Sequence, residues 1–152
     1  MHALIYLSHI SQPIDKDDVI EIATKATAKN KQIDVTGFLS FRNKQFTQYL
    51  EGPSEAVLKL IKTIENDPRH EIKHTINLEN QSQRHFANWS MRLITSQDQS
   101  RALPDDMLIS TIKEIARANY EPMMVNAQIY TIINRISRIL YLPKYDIGNS
   151  RT

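Results

Sequence analysis

The segment His70-Glu71-Ile72-Lys73-His74 carries two imidazoles and a carboxylate in the HExxH spacing that zinc peptidases use. That chemistry requires a helix, because a helix places both imidazoles on one face, one turn apart, beside the glutamate base. Pro68 stands just upstream, and the residues from Ile72 to Leu78 alternate with period two, which predicts a strand. On a strand the two imidazoles lie about 13 Å apart. We therefore expect no metal site in this segment, and none elsewhere.

A second group of chemically capable residues lies on strands that are otherwise apolar. Tyr6 falls in the first predicted strand, Gln48 in the third, and Trp89 with Met91 in the last. Because buried polar groups need hydrogen-bond partners, Tyr6 and Gln48 can simply satisfy one another. Periodicity alone favours that structural interpretation, and a functional pair stays open as the alternative.

Four further polar residues lie at or just after predicted helix ends, namely Asn30, Asp67, Arg69 and His70. Taken singly, each is best explained as a helix cap or as part of a solvated turn. A shared role in a binding site is the alternative interpretation.

Composition excludes several chemistries. The 152 residues include no cysteine, which excludes disulfides, thiolate zinc sites, iron–sulfur clusters and thiol nucleophiles. Three glycines cannot build a GxGxxG or Walker phosphate loop. A formal charge of +2 argues against a nucleic-acid partner. No apolar run is long enough for a membrane span and no signal peptide is evident, so we expect no membrane association and a cytoplasmic protein.

Hydrophobic periodicity predicts the element order βαββαββ over residues 1–95. The predicted strands cover residues 2–8, 35–40, 45–50, 72–78 and 89–93. The first helix starts after Asp15 or Asp17 and ends at Asn30. The second starts at Gly52-Pro53 and stops at Asn66-Asp67-Pro68. Two helices on one face of a sheet of four or five strands make a ferredoxin-like α+β domain.

Alternation assigns side chains to the faces of the predicted sheet. In the first strand Leu4, Tyr6 and Ser8 share one face, and the intervening residues share the other. In the last strand the same rule places Trp89 and Met91 on a common face. A polar turn at residues 42–44 joins the second and third strands as a hairpin.

Residues 96–152 are predicted to form a C-terminal helical extension. A polar connector covers residues 95–103, and two helices follow at about residues 104–119 and 123–141. The last helix carries Arg135 and Arg138 beside a stripe of isoleucines. Two interpretations of that helix stay open: an amphipathic helix docked on the domain, or a surface for a partner or for self-association.

Five segments in the α+β region together resemble the BLUF family of blue-light sensors that use a flavin. Their order and spacing match the family over about residues 3–93. The matching segments are Leu4-Ile5-Tyr6-Leu7-Ser8, Asn30 with Val35-Thr36-Gly37-Phe38-Leu39, Phe46-Thr47-Gln48-Tyr49-Leu50-Glu51-Gly52, Asp67-Pro68-Arg69-His70 and Arg84-His85-Phe86-Ala87-Asn88-Trp89-Ser90-Met91.

The resemblance implies that FAD, or alternatively FMN or riboflavin, binds noncovalently between the two helices. Ile22 and Ile64 match the positions that sandwich the flavin ring, and Asn30 matches the amide that binds its pyrimidine edge. The residues implied to contact the cofactor are Ser8, Ile22, Lys29, Asn30, Phe46, Gln48, Ile64, Asp67, Arg69 and His70.

The resemblance also implies a photoresponse centred on Tyr6 and Gln48. On illumination Tyr6 would give up an electron and a proton and receive them back, while the Gln48 amide rotates or tautomerises. A phenol can supply both, and a glutamine amide has a donor end and an acceptor end that exchange on rotation. Trp89 and Met91 match the strand that carries the signal outward. Without cysteine, the light response cannot use a flavin–thiol adduct.

The resulting hypothesis is a short photoreceptor, not an enzyme, because no recognisable output domain follows the sensor region. It would signal through its C-terminal helices to an unidentified protein partner or within a homo-oligomer. The alternative is a light-inactive ferredoxin-like protein-interaction module.

Overall fold

A computed structural model describes residues 1–78, 81–101, 103–118 and 122–142. It confirms the predicted mixture of a sheet with flanking helices. In chain order the elements are β1 (His2–Ile10), α1 (Lys16–Gln32), β2 (Thr36–Arg42), β3 (Gln45–Gly52), α2 (Ser54–Glu65), β4 (His70–Leu78), β5 (Arg92–Leu93), α3 (Ser96–Gln99), α4 (Asp105–Arg117) and α5 (Pro122–Tyr141).

The five strands form one sheet in the order β4-β1-β3-β2-β5. β1 lies between β4 and β3 and pairs antiparallel with both, and β2 pairs antiparallel with β3. The short β5 runs parallel to β2 at the sheet edge. The predicted ferredoxin-like order is therefore confirmed, with five strands.

Helices cover both faces of this sheet. α1 and α2 pack on the face that carries Leu4 and Tyr6 of β1, which we call the cavity face. α4 and α5 pack on the opposite face, which carries Ala3, Ile5 and Leu7 and which we call the C-terminal face. Because helices cover both sides of β1, the sequence of this strand is a nearly continuous run of apolar residues.

β4 contains a bulge opposite β1. Leu7 pairs with His74, whereas the next residue, Ser8, pairs with Ile72, so Lys73 is the extra residue in β4. An extra residue reverses which alternate side chains point to which face.

Because of this bulge, the alternating residues of β4 do not share one face. Ile72 packs in the cavity-face cluster, whereas Ile76 and Leu78 pack on the C-terminal face. His70 and His74 lie on opposite sides of the bulge and face opposite sides of the sheet. The strand prediction for this segment is confirmed, and no group of metal-ligating side chains occurs among the described residues.

α1 begins with a capping box. Asp15 Oδ1 accepts from the Asp18 amide, and Asp18 Oδ2 accepts from the Asp15 amide. The helix ends at Gln32, past the Asn30 terminator expected from the sequence. The Asn30 side chain is buried and donates from Nδ2 to the Ser90 carbonyl at 3.1 Å, so a tertiary contact holds it inside the last turn.

Local boundaries differ from prediction at two turns. Pro53, expected as the first helical residue of α2, is the N-cap before Ser54. The hairpin turn consists of Asn43 and Lys44 alone, because Arg42 still pairs within the sheet. Both turn residues have positive φ, 53° and 62°, as a tight two-residue hairpin requires.

The expected strand over residues 89–93 is only partly present. β5 contains Arg92 and Leu93, and the residues before it form a bend. The prediction that Trp89 and Met91 share a face is wrong: Met91 packs in the cavity-face cluster and Trp89 against the C-terminal-face cluster. Alternation fails here because a bend lacks the pleat of a strand.

The C-terminal helices lie where the sequence predicts them, and α3 occupies part of the expected connector. Residue 119 of the predicted helix and residues 143–152 of the predicted extension lie outside the described residues. The isoleucine stripe of α5, including Ile129, Ile133 and Ile136, is buried, while Arg135 and Arg138 are exposed. The docked-helix interpretation therefore describes α5. Within the described part of the chain, every helix is too short or too polar to cross a lipid bilayer.

Candidate functional site

A cavity of about 250 Å³ lies between α1 and α2, with the sheet as its floor. Apolar side chains form its two walls: Ile22 and Ala26 come from α1, and Leu60 and Ile64 from α2. The two helices therefore enclose an open slot above the sheet.

The cavity brings together most of the residues that the sequence marked as a site. All the expected cofactor contacts except Ser8 line it: Ile22, Lys29, Asn30, Phe46, Gln48, Ile64, Asp67, Arg69 and His70. Tyr6 lines it as well. Ser8, Trp89 and Met91 do not line the cavity, although Ser8 and Met91 contact residues that do.

Tyr6 and Gln48 form the polar part of the floor. They stand directly opposite each other on β1 and β3, and the Tyr6 hydroxyl donates to Gln48 Oε1 over 2.5 Å. Burial raises the pKa of the Tyr6 phenol far above its usual value, and the nearby charge of Asp67 raises it further. The phenol is therefore held in its protonated form, with a hydrogen to donate.

The other end of the Gln48 amide contacts Met91. Gln48 Nε2 donates to the Met91 thioether sulfur at 3.4 Å. A thioether is a weak acceptor, whereas the phenol is a strong donor. The amide is thus oriented mainly by Tyr6, and the Met91 contact is the weaker of the two.

α1 holds the backbone next to Met91. Asn30 Nδ2 donates to the Ser90 carbonyl, and Thr27 Oγ1 donates to the Met91 carbonyl at 3.3 Å. The bend at residues 89–91 therefore has one side chain against Gln48 and two backbone contacts to the wall of the cavity.

Trp89 points to the other side of this bend. Its ring stacks on that of Tyr141 in α5, with the ring centroids 4.1 Å apart, and the Arg92 guanidinium lies 5.5 Å from the Trp89 ring centroid. Arg92 also pairs with the buried Asp98 of α3 at 2.9 Å. These contacts connect Trp89 directly to α5 and, through Arg92, to α3.

Charged side chains from α1 and from the segment after α2 line the cavity. Arg69 donates to both carboxylate oxygens of Asp67, and these hydrogen bonds hold the Asp67 pKa below its usual range. Lys25 and Lys29 lie one turn apart on α1, and Lys25 also pairs with Glu21 at 2.7 Å. The lining carries three cationic side chains, Lys25, Lys29 and Arg69, and one carboxylate, Asp67.

Five lining residues were absent from the predicted site: Lys25, Ala26, Leu39, Leu60 and Thr63. Helical spacing could have identified Ala26, which lies midway between Ile22 and Asn30 on one helical face. Leu39 could not be found this way, because its position below the cavity depends on its pairing with Gln48 across the sheet.

Comparison with known proteins gives a family match and several relatives. The sequence model of a family described as "BLUF: Sensors of blue-light using FAD" matches residues 1–92. A photoactivated adenylate cyclase subunit beta from Euglena longa is 34% identical over 95 residues, which is 62% of this chain. The blue light- and temperature-regulated antirepressor BluF of Escherichia coli (strain K12) is 45% identical over 69 residues, 44% of this chain. These matches span 11% and 17% of the two relatives' own lengths.

Two solved structures share the fold. The dark-state structure of BlrB, a BLUF protein, superposes with a TM-score of 0.68 at 26% identity and covers 93% of this chain and 96% of that one. A bacterial light-regulated adenylyl cyclase superposes with a TM-score of 0.63 at 30% identity, covering 76% of this chain and 35% of that one.

Proposed function

This chain belongs to the BLUF family, the sensors of blue light that use a flavin, and we propose that it binds FAD noncovalently in the cavity between α1 and α2. We further propose that light switches the hydrogen bonds of Tyr6 and Gln48. The observation that carries this mechanism is the buried Tyr6–Gln48 hydrogen bond at the cavity floor, with Met91 on the far side of the amide.

The lining of the cavity supports a flat aromatic ligand. Ile22 and Ile64 offer apolar surface from two facing walls, and Asn30 and Gln48 offer amides beside the slot. Amides suit the polar edge of a flavin ring, which both donates and accepts hydrogen bonds. When bound, the flavin supplies blue-light absorption and an excited state that accepts an electron.

The protein's part in this chemistry is to hold a proton and an amide in one orientation. Burial keeps Tyr6 protonated, so its phenol can release a proton with an electron and recover both. Rotation of the Gln48 amide by half a turn would direct Nε2 toward the Tyr6 oxygen and Oε1 toward the Met91 sulfur. That arrangement loses the contact to Met91, because a thioether cannot donate a hydrogen bond. Tautomerisation of the amide remains the alternative route to the same exchange.

We propose that Lys29 and Arg69, with Lys25, hold the phosphate end of the cofactor. Three cationic side chains in the lining favour a phosphorylated flavin over riboflavin, because the phosphate adds charge-assisted hydrogen bonds. FAD is the proposed cofactor and FMN the alternative. Extraction of the bound flavin from the purified protein distinguishes them by chromatography.

For the output we propose a sensor without catalytic activity of its own. The sensor domain is proposed to cover residues 1–95 and the signalling extension residues 96–152, acting in the cytoplasm on a protein partner or within a homo-oligomer. The stacking of Trp89 on Tyr141 supports a route from the bend at residues 89–91 to α5.

The light-minus-dark absorption spectrum of the purified chain tests the proposal. We expect a yellow protein whose flavin bands move reversibly to the red under blue light. The variant Gln48→Leu should bind flavin and lack the shift, because leucine has no amide to exchange. A colourless protein that cannot be reconstituted with FAD would contradict the proposal and favour a light-inactive interaction module.

A further inference from the structure

The ring of His70 is held by protein groups at both nitrogens. Its Nδ1 lies 2.7 Å from the Ser8 hydroxyl oxygen of β1, and its Nε2 lies 2.9 Å from the Ile64 carbonyl oxygen in α2. We propose that His70 is a positioning residue, a brace that fixes the α2 wall of the cavity to the sheet, and that it makes no hydrogen bond to the flavin. This proposal rests on flavin binding in the cavity.

The two contacts define which nitrogen carries the hydrogen. A carbonyl oxygen can only accept, so Nε2 must donate to Ile64. In the neutral ring Nδ1 then has a lone pair, and it accepts the hydrogen of the Ser8 hydroxyl. Because both ring nitrogens already make hydrogen bonds within the protein, the His70 side chain has no donor or acceptor left for a flavin.

The bulge in β4 places His70 in this position. His70 pairs with Ile10 of β1, beyond the extra residue Lys73, and so it faces the cavity side of the sheet. The aromatic rings of Tyr6 and Phe46 flank it, with centroid distances of 6.1 and 6.2 Å. Ring contacts on two sides limit the orientations that the imidazole can adopt.

The brace joins the sheet below the cavity to the α2 wall. Ser8 is fully buried and lies two residues after Tyr6 on the same face of β1. Ile64 lies in the last turn of α2 and contributes a wall of the cavity. A direct link between them fixes the position of the α2 wall relative to the phenol, and a flat ring must fit against that wall.

A double-mutant cycle on FAD affinity tests the brace. Ser8→Ala removes a side chain that does not line the cavity, and His70→Ala removes both contacts. We expect Ser8→Ala to weaken FAD binding about threefold and His70→Ala about tenfold, with no further loss in the double variant. Additive effects, or an unchanged affinity in Ser8→Ala, would overturn the brace.

Two conservative variants separate the contacts. The terminal nitrogen of glutamine in His70→Gln occupies nearly the place of Nε2 and can still donate to Ile64. The side-chain oxygen of asparagine in His70→Asn occupies nearly the place of Nδ1 and can still accept from Ser8. We expect His70→Gln to restore most of the lost FAD affinity. Equal losses in His70→Gln and His70→Ala would argue against the Ile64 contact.

The imidazole ¹⁵N NMR spectrum of the flavin-free protein gives a readout that does not depend on a ligand. We expect the Nε2–H tautomer of His70 before FAD is added, with an Nδ1 shift that changes in Ser8→Ala. An Nδ1–H tautomer would overturn the proposal even if the chain photocycles normally. Conversely, if blue light causes no red shift of the flavin bands, the proposed function is contradicted. The ¹⁵N NMR spectrum would still test whether His70 makes the two contacts of the brace.

Discussion

The Tyr6 phenol has a single strong partner in the cavity floor, the Oε1 atom of Gln48 at 2.5 Å. Burial raises the pKa of the phenol, so the proton needed for the photoresponse is present at neutral pH. At the residue scale, the proposed switch therefore depends on one hydroxyl group.

Tyr6→Phe removes that hydroxyl and leaves the ring that packs in the core. We expect the variant to bind flavin and to lose the light-induced red shift, measured as the light-minus-dark spectrum. Tyr141→Phe is the matched control, since it removes a hydroxyl outside the cavity and should photocycle. A normal photocycle in Tyr6→Phe would refute the assigned role of Tyr6.

Glu51 is a fully buried carboxylate on the C-terminal face. Burial alone would raise its pKa. The His85 imidazole, whose Nδ1 lies 3.8 Å from Oε2, outweighs burial together with hydrogen bonds from the amides of His85 and Phe86 and from Tyr49, and these groups hold the pKa of Glu51 below its ordinary 4.5. Each carboxylate oxygen receives one of the two amides, at 2.9 and 2.6 Å. The charged form thus anchors the segment that leads to Trp89.

Glu51→Gln should destabilise the protein by about 2 kcal/mol at pH 7. The backbone N–H of either His85 or Phe86 would then face the NH₂ group of the glutamine, which cannot accept its hydrogen bond. A lowered folded-state pKa means that the charged group stabilises the fold above pH 4.5 and that this stability is lost as the pH falls through the folded-state value. The difference between wild type and variant should therefore shrink in acid. Urea denaturation at several pH values measures it, and a constant difference would contradict the charge-dependent role.

At the element scale, the β2–β3 hairpin sets the register that places Gln48. Its turn residues Asn43 and Lys44 both adopt left-handed backbone angles, which asparagine tolerates and lysine does not favour. The Lys44 carbonyl also accepts from the Ile10 amide, so the turn is held against β1. The hairpin therefore includes one residue whose type does not suit its conformation.

Lys44→Gly should raise the free energy of unfolding by about 0.5–1 kcal/mol, because glycine adopts φ of 62° without a steric penalty. Lys44→Ala serves as the control, since it keeps the Cβ atom and should give no gain. Denaturant midpoints under identical conditions compare the three proteins. A loss of stability in Lys44→Gly would show that the turn is not strained.

At the scale of the whole molecule, the sheet has two covered faces and the C-terminal helices form one of the covers. Phe38, Tyr49 and Phe86 from the first part of the chain share a core with Ile133 and Ile136 of α5. The signalling route that we propose from the bend at residues 89–91 to α5 would therefore meet this packed interface. The predicted boundary near residue 95 requires that residues 1–95 keep their fold without this interface.

Ile136→Ala tests whether the sensor region and α5 unfold together. We expect a loss of about 2–5 kcal/mol and a single transition in which ellipticity and flavin absorbance change at the same denaturant concentration. Met123→Ala, at a side chain 82% exposed, should change stability by less than about 0.5 kcal/mol. Separate transitions for the two signals would favour an independent domain over residues 1–95.

Local sequence patterns predicted most of the strands and helices, since the spacing of apolar residues depends on the geometry of each element. The resemblance also identified ten of the residues that line the cavity, from Tyr6 to His70. Sequence likewise excluded a zinc site at His70 and His74 by predicting a strand there.

Only the tertiary structure decided which faces these residues occupy. One extra residue at Lys73 turns His70 toward the cavity, and the bend before β5 sends Met91 and Trp89 to opposite sides of the sheet. Periodicity likewise could not predict that α4 and α5 cover the C-terminal face. The physical reason is that strand register, bulges and layer packing depend on contacts between distant segments, whereas periodicity reports only neighbours along the chain.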